Sequence, residues 1–419
     1  MTWWLYRWVV TCYHAGVRIA AWLGHAKARA WWRGRSPHHV HLDQLRKARP
    51  DHAVVIWMHV SSLGEYEQGR PVLERLRRER SEIWIAVTFF SPSGYEARKN
   101  DPLADWIGYL PPDTPLQARR WIETLRPHLV LWVKYDLWAY HLRACFERRI
   151  RVLLFAMNLS RRHPAFRSLT APLYGYLLHN MSRIFLQYED QQPLADELGL
   201  TQVRLAPDPR IDRVRQIALQ AEALPEVEQF LGGQTRILIL GSAYEAEVRR
   251  TLATDWRRYF DRMIVAPHWV DEAYLTRLER LLGWEHTLRY GRLPSVDPNK
   301  DILLVDRIGL LSRLYRYGSV AFVGGGFGHA IHNTLEPAAF ALPVLFGPRH
   351  ERFPEATRLL AQQAFFEVRT ARDIYRVFDM LSDPDRYLQV REAIQDFMVR
   401  HEGGSRRVAQ EALQWLEQA

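Results

Sequence analysis

Two short stretches of the chain combine residue types and spacings that can do chemistry. The first is His59-Val-Ser-Ser-Leu-Gly-Glu65, where the apolar run Ala53–His59 passes into a serine- and glycine-containing turn and then a helical pattern. A carboxylate at that position can take a proton from an attacking hydroxyl if it is hydrogen-bonded or partly desolvated. Gly64 permits close backbone approach. Ser62 and the N–H groups of the helix start can hold an anion or an acceptor. The same residues also read as an ordinary helix start, with Ser61 or Ser62 as cap and Glu65 favoured by the helix dipole. Spacing alone leaves both readings open.

The second stretch is Gly324-Gly-Gly-Phe-Gly-His-Ala-Ile-His-Asn-Thr-Leu-Glu-Pro-Ala338. Glycines let a backbone fold tightly against phosphate, and a following helix presents its positive end. Asn333 and Glu336 share one helical face. Asn333 would be the N-cap and Glu336 its capping-box acid; alternatively, Glu336 accepts hydrogen bonds from ribose hydroxyls. A dinucleotide fingerprint would sit in the first βα turn, whereas this glycine run lies late in the chain, and no Walker A sequence occurs.

These stretches need a scaffold, and the apolar pattern supplies one. Ala53–His59, Ile83–Thr88, Leu129–Val133, Val152–Ala156 and Ile184–Gln187 read as buried strands, separated by helical patterns such as Tyr66–Arg80 and Pro115–Leu125. The pattern restarts with Arg236–Gly241, Arg262–Ala266, Asp301–Val305, Val320–Val323 and Pro343–Phe346, with helices at Glu245–Tyr259 and Asp271–Leu282. Continuous apolar strands alternating with amphipathic helices predict parallel sheets covered on both faces. The stretch Arg204–Gly233, richer in Pro, Asp and Gln, divides the two halves. The predicted architecture is therefore α/β, with two Rossmann-like doubly wound domains facing a cleft, over residues 36–205 and 206–419. The last helix is allowed to pack back on the first domain.

The chain has 419 residues, 47% hydrophobic and 25% charged, which are globular proportions and exclude extensive disorder. Its two cysteines, Cys12 and Cys145, form no CxxC pair, so neither a zinc site nor a disulfide framework is indicated. The net charge of +10 suits an anionic membrane, phosphorylated substrates or nucleic acid, but no nucleic-acid motif accompanies it. Residues 1–35 are distinctive: Trp3, Trp4, Trp8 and Trp22 crowd an apolar stretch broken by Arg7, His14 and Arg18. A charge near a bilayer centre costs at least ~2.5–3.5 kcal/mol, which argues against a simple spanning helix. An interfacial helix fits better, with its aromatics at the acyl boundary and Lys27, Arg29, Arg33 and Arg35 facing lipid phosphates. Packing on the protein's own core, or a single pass, are the alternatives.

Taken together, the motifs resemble the bacterial transferases of 3-deoxy-D-manno-octulosonic acid (Kdo) in lipopolysaccharide biosynthesis. The resemblance rests on Ser62, Gly64 and Glu65, on Gly325–Gly326 with His332–Ala338, and on Pro343–Pro348. TFFSPSGYE at Thr88–Glu96, YLPPD at Tyr109–Asp113 and RPHLVLWVKYDLW at Arg126–Trp138 extend it along most of the chain. It implies a GT-B fold and inverting transfer of Kdo from CMP-Kdo to a lipid A precursor, without metal or other cofactor. It implies Glu65 as general base, with Asn333 and Glu336 holding CMP near the glycine turn. Ser242 and Glu245, in GSAYEAE, match a nucleotide-side loop, and Arg210 matches a basic linker position that the resemblance counts with them on the CMP-binding side, with an interdomain salt bridge as its alternative. The implied location is the cytoplasmic face of the inner membrane, against anionic lipid.

Two departures stand out. Lys134-Tyr135-Asp136 replaces a segment that is acidic in many members, leaving Asp136 the acidic role and Lys134 to meet a substrate carboxylate or phosphate. Ala266-Pro267-His268-Trp269 replaces a more basic element, leaving His268 to make the donor contact. The rival functions are another GT-B transferase using a UDP-sugar and a lipid-linked acceptor, and a catalytically silent membrane scaffold.

Overall fold

The structure is a computed structural model that describes residues 2–35, 38–134, 136–294, 297 and 299–418. Two compact units divide the chain: Met1–Asp212 together with Glu402–Ala419, and Arg213–His401.

The first unit is built on a parallel sheet of β1 (Val55–Val60), β2 (Trp84–Phe89), β3 (Trp106–Tyr109), β4 (Leu129–Val133), β5 (Arg151–Met157), β6 (Arg183–Leu186) and β7 (Val203–Leu205). Its order is β3-β2-β1-β4-β5-β6-β7. Every residue of β1, β2 and β4 is buried. Side chains alternate across a strand, and here both faces are covered. Val55 and Trp57 join one apolar cluster with Trp121 and Trp132, while Ile56, Met58 and Val60 join another with Val72 and Leu76. Each large side chain so buried contributes roughly 1.5–3 kcal/mol. Two-sided burial is why these strands read as unbroken apolar runs.

The second unit repeats the plan with β8 (Ile237–Ala243), β9 (Arg262–Pro267), β10 (Thr287–Arg289), β11 (Ile302–Leu304), β12 (Val320–Val323), β13 (Val344–Phe346) and β14 (Phe365–Glu367), in the order β10-β11-β9-β8-β12-β13-β14. The expected Glu245–Tyr259 helix stops at Leu252, and a separate short turn forms at Trp256–Arg258.

The N-terminal helix Thr2–Trp22 does two things at once. One face packs on the first unit: Trp3 lies 5.5 Å from the Tyr140 ring, Val10 is buried, and the Tyr6 hydroxyl donates to Asp113. Asp113 also accepts from the Tyr140 and His141 N–H groups at 3.2 and 3.0 Å and pairs with His141 Nδ1 at 2.7 Å. The other face leaves Trp4, Trp8 and Trp22 exposed at 66%, 53% and 82%. Among the described residues, no helix is long and apolar enough to cross a membrane.

Arg35 corrects one expectation. It does not face lipid; it is 2% exposed, with its guanidinium 4.1, 4.9 and 4.8 Å from the ring centroids of Trp31, Phe90 and Tyr109. It donates to the carbonyls of Phe90 and Leu110 at 2.7 and 3.0 Å. Burial pushes its pKa down to about 9. Those carbonyls lie just past β2 and β3, and Ser91 of the same loop donates its N–H to the Ser61 carbonyl at 2.9 Å. Arg35 therefore braces the loops beside Glu65. Arg35→Ala strands the buried Leu110 carbonyl and the part-buried Phe90 carbonyl and removes the ring contacts, so about 2–4 kcal/mol of stability is lost. Urea unfolding of the purified variant measures this.

Candidate active site

β1 and β4 are hydrogen-bonded neighbours, yet the chain visits β2 and β3 on one side before starting β4 and moving to the other. Such a switch point leaves an opening at the carboxyl ends of two adjacent strands, where ligands of open α/β sheets bind. The turn Ser61–Glu65 follows β1, and Lys134 and Asp136 follow β4. Tyr135 lies outside the described residues.

The helix Leu63–Glu79 begins at this opening. Ser62 is its N-cap, with Oγ accepting from the Glu65 N–H at 3.4 Å. The Glu65 carboxylate turns back to accept the Ser61 N–H. The capping arrangement thus exists, and it leaves a half-buried carboxyl with an unusual titration. Burial raises its pKa to about 7; the Ser61 N–H and the Lys134 charge work against that rise, and the Asp136 charge adds to it. Such a group is deprotonated often enough at neutral pH to act, and basic enough to accept a hydroxyl proton. Gly64 is exposed, and a Cβ there would meet only Ser62 Oγ, at 4.0 Å. The fold itself does not require glycine at this position.

Lys134 adopts a left-handed φ of 64°, with its N–H donating to the Phe155 carbonyl at 3.1 Å. Its charge favours ionisation of both Glu65 and Asp208. Asp136 is exposed, and its carbonyl accepts from Trp132 Nε1 at 3.1 Å. Asp208 is a buried residue that the sequence reading did not single out. It accepts from Gln68 and Gln187 Nε2 at 2.7 and 3.0 Å and from the Arg210 guanidinium at 2.8 Å. Burial works to raise its pKa, but Arg210 outweighs that and holds the carboxyl below the usual range. Arg210 thus belongs to the first unit, and its salt bridge is to Asp208 of that unit.

The second unit has its own switch point, between β8 and β12. Ser242 is an extra residue in β8, with φ 49°, at a register shift against β9. The glycine turn after β12 folds onto it. A Cβ on Gly324 would lie 2.1 Å from the Ser242 carbonyl oxygen, and one on Gly326 would lie 2.6 Å from Gly347 Cα. Gly325 has φ +97°. These glycines are required by backbone packed on backbone, before any ligand is considered; Gly328 alone has open space around it.

A buried carboxylate secures this turn. Glu247, 1% exposed, accepts from the Tyr244 N–H at 2.9 Å and the Gly325 N–H at 3.0 Å, tying the helix Glu245–Leu252 to the glycine turn. Its signal in the sequence was an acid three residues after Tyr244 at a helix start. Glu245, singled out instead, is engaged by Arg249 at 3.2 Å and by Arg277. Beside them, His268 stacks with Tyr244 and His332 at 5.0 and 4.5 Å, and the Tyr244 hydroxyl meets His332 Nε2 at 3.2 Å. Burial, helped by His268 and His329, pushes His332 down to about 4; burial and His329 lower His268 as well. At pH 7 these rings offer neutral aromatic faces rather than cations.

Asn333 and Glu336 are brought together differently from the expected cap. The helix is a single turn, Leu335–Ala338, and its N-cap is Thr334. Asn333 Oδ1 accepts the Leu335 N–H at 3.1 Å, and its Nδ2 donates to Glu336 Oε1 at 3.0 Å. The left-handed Ala341, φ 55°, marks the early stop. A helix this short has a small dipole. Among the described residues, no group of three or more His, Cys, Asp or Glu is arranged to hold a metal ion.

Comparison with known proteins completes the picture. Residues 32–213 match the family model described as 3-deoxy-D-manno-octulosonic-acid transferase (kdotransferase). A 3-deoxy-D-manno-octulosonic acid transferase of Haemophilus influenzae is 25% identical over 344 residues, 76% of each chain. One from Aquifex aeolicus is 24% identical, covering 80% of this chain and 88% of that one. Among solved structures, the UDP-GlcNAc 2-epimerase of Neisseria meningitidis matches 86% of this chain and 100% of its own with a TM-score of 0.58 at 14% identity, a likeness of fold alone.

Proposed function

We propose, proceeding from this chain's membership of the Kdo transferase family of lipopolysaccharide biosynthesis, that it transfers Kdo from CMP-Kdo to a lipid A precursor at the cytoplasmic face of the inner membrane. The observation that carries the reading is the Glu65 carboxyl at the β1–β4 switch point, with its pKa raised to about 7.

In this reading Glu65 removes the proton from the acceptor hydroxyl as that oxygen bonds to the anomeric carbon of Kdo. The bond from that carbon to the CMP phosphate oxygen breaks, the electron pair leaves with CMP, and the proton passes from Glu65 to water. Ser62, Gly64, Lys134 and Asp136 receive the acceptor, the lysine meeting its negative charge. Arg210 holds Asp208 ionised beside Lys134, and so acts on this group from within the first unit. On the donor side, Ser242, Glu245, His268, Gly325 and Gly326 form the surroundings of the CMP moiety, and Asn333 and Glu336 hold its ribose. Positioning and a stabilised leaving group supply most of the rate in such a transfer.

Incubating the purified chain with CMP-Kdo and a lipid A precursor, then weighing the lipid, tests the reading. An increase by one or more Kdo residues is expected; an unchanged lipid overturns it. CMP competes for the donor site and UDP does not, which separates this reading from a UDP-sugar transferase. Turnover is expected to be the same with and without EDTA; inhibition reversed by magnesium would contradict metal-free transfer. The exposed tryptophans are the proposed membrane contact. Each buries enough apolar surface for roughly 1.5–3 kcal/mol. Replacing Trp4, Trp8 and Trp22 by Ser therefore lowers vesicle-bound protein at least about tenfold in a sedimentation assay, with an unchanged melting temperature.

A further inference from the structure

The second unit holds a cavity of about 500 Å³ at the end of its sheet opposite the glycine turn. It lies under the amino ends of three adjacent strands, β9, β8 and β12, and is closed by the last turn of the Ala371–Leu381 helix and the first turns of the Pro384–Arg400 helix. Open parallel sheets take their substrates at the carboxyl ends of strands. This cavity is a strand's length away and is therefore separate from the donor surroundings described above. Its size is that of a small-molecule site.

The lining has a definite chemistry. Its charged members are Arg236, Arg258 and Arg391, and it contains no carboxylate. Arg236 is neutralised by Asp261 at 2.6 Å. Arg258 donates to the Tyr375 hydroxyl at 3.3 Å, and the Arg391 guanidinium lies over the Tyr387 ring, 5.7 Å from its centroid. Neither has an acidic partner among the described residues. Two exposed guanidinium groups over a carboxylate-free cavity call for an anion, and phosphate suits them best.

The floor is apolar, formed around Phe260, Phe378 and Leu381. Its rings meet at steep angles: Phe260 and Phe378 edge to face at 4.9 Å and 79°, Tyr259 and Phe378 tilted at 5.8 Å and 52°. Rings so arranged offer no parallel pair for a flat base to enter. They suit a flexible aliphatic body.

We propose that this cavity binds an alkyl phosphate, with the phosphate between Arg258 and Arg391 and the chain against Phe260 and Phe378. Neither the transfer reaction nor the donor surroundings require such a site.

Hexyl phosphate is the probe, because it is soluble and too short to form micelles at working concentration. Calorimetric titration of the full chain is expected to give saturable binding, at least tenfold tighter than inorganic phosphate and than hexanol. Arg258→Ala/Arg391→Ala weakens that binding at least tenfold, and R391E weakens it further. Both positions are exposed, so the melting temperature and CMP binding stay at wild-type values. No binding, equal binding of inorganic phosphate or of hexanol, or full binding by the double variant overturns the proposal. The last outcome would place the probe elsewhere, such as on the apolar face of the N-terminal helix. CMP binding, read in parallel, keeps this test apart from that of the transfer reaction.

Discussion

Glu65→Gln is expected to lower turnover roughly a hundred- to ten-thousand-fold while leaving the fold and CMP binding intact. The glutamine oxygen can still accept the Ser61 N–H that the carboxylate accepts now. What it cannot do is take a proton. The pH profile gives the sharper readout. A base must be deprotonated to work, and burial places the Glu65 pKa at about 7. The wild-type kcat/KM therefore climbs with pH through about 7 and levels off above it. The residual rate of the variant lacks that rising limb. A folded variant within a few-fold of wild type, with the same limb, would remove Glu65 from the chemistry.

The second large effect is expected at Glu247. Glu247→Ala leaves two N–H donors, the part-buried one of Tyr244 and the buried one of Gly325, without their acceptor. A buried one costs about 1–3 kcal/mol and the part-buried one less, so the second unit loses about 2–4 kcal/mol. The glycine turn also loses its tie to the helix, and CMP affinity drops at least about tenfold, since a 1.4 kcal/mol change suffices for that factor. Glu247→Gln falls between, because its amide group keeps one acceptor but turns an N–H toward an N–H. Urea unfolding and CMP calorimetry read the two effects separately. An alanine variant matching wild type in both would show that the turn holds its shape unaided.

The interior of each sheet was legible because burial on both faces writes an unbroken apolar run. The strands that escaped notice, β3, β7, β10 and β14, are the outer members of their sheets. An edge strand is paired on one side only and can be short and partly wet: Val203–Leu205 contains Arg204, and Phe365–Glu367 ends in a glutamate. Nothing in three residues separates such a strand from a loop. The capping of Glu65 followed from spacing, but its raised pKa did not, because desolvation depends on what folds over the group. Asp208, and the tie from Glu247 to the glycine turn, were out of reach for a related reason. Their partners, Gly325, Gln68 and Gln187, are far along the chain. Arg35 misled because a basic run looks solvated; only the fold places three rings around one of its members.

The terminal helix Gly404–Glu417 has a consequence for how the chain comes into being. Val408, Ala409 and Ala412 complete the same apolar cluster as Val72 and Leu76, and Glu411 pairs with Arg183 and Arg204 at 2.8 and 2.7 Å. During synthesis, then, the core of the first unit lacks a wall until the helix Gly404–Glu417, which follows the whole of the second unit, has left the ribosome. The segment Arg213–His401, continuous in sequence, has all its parts earlier. For these two units the usual order of maturation on the ribosome, amino-terminal first, is expected to be reversed.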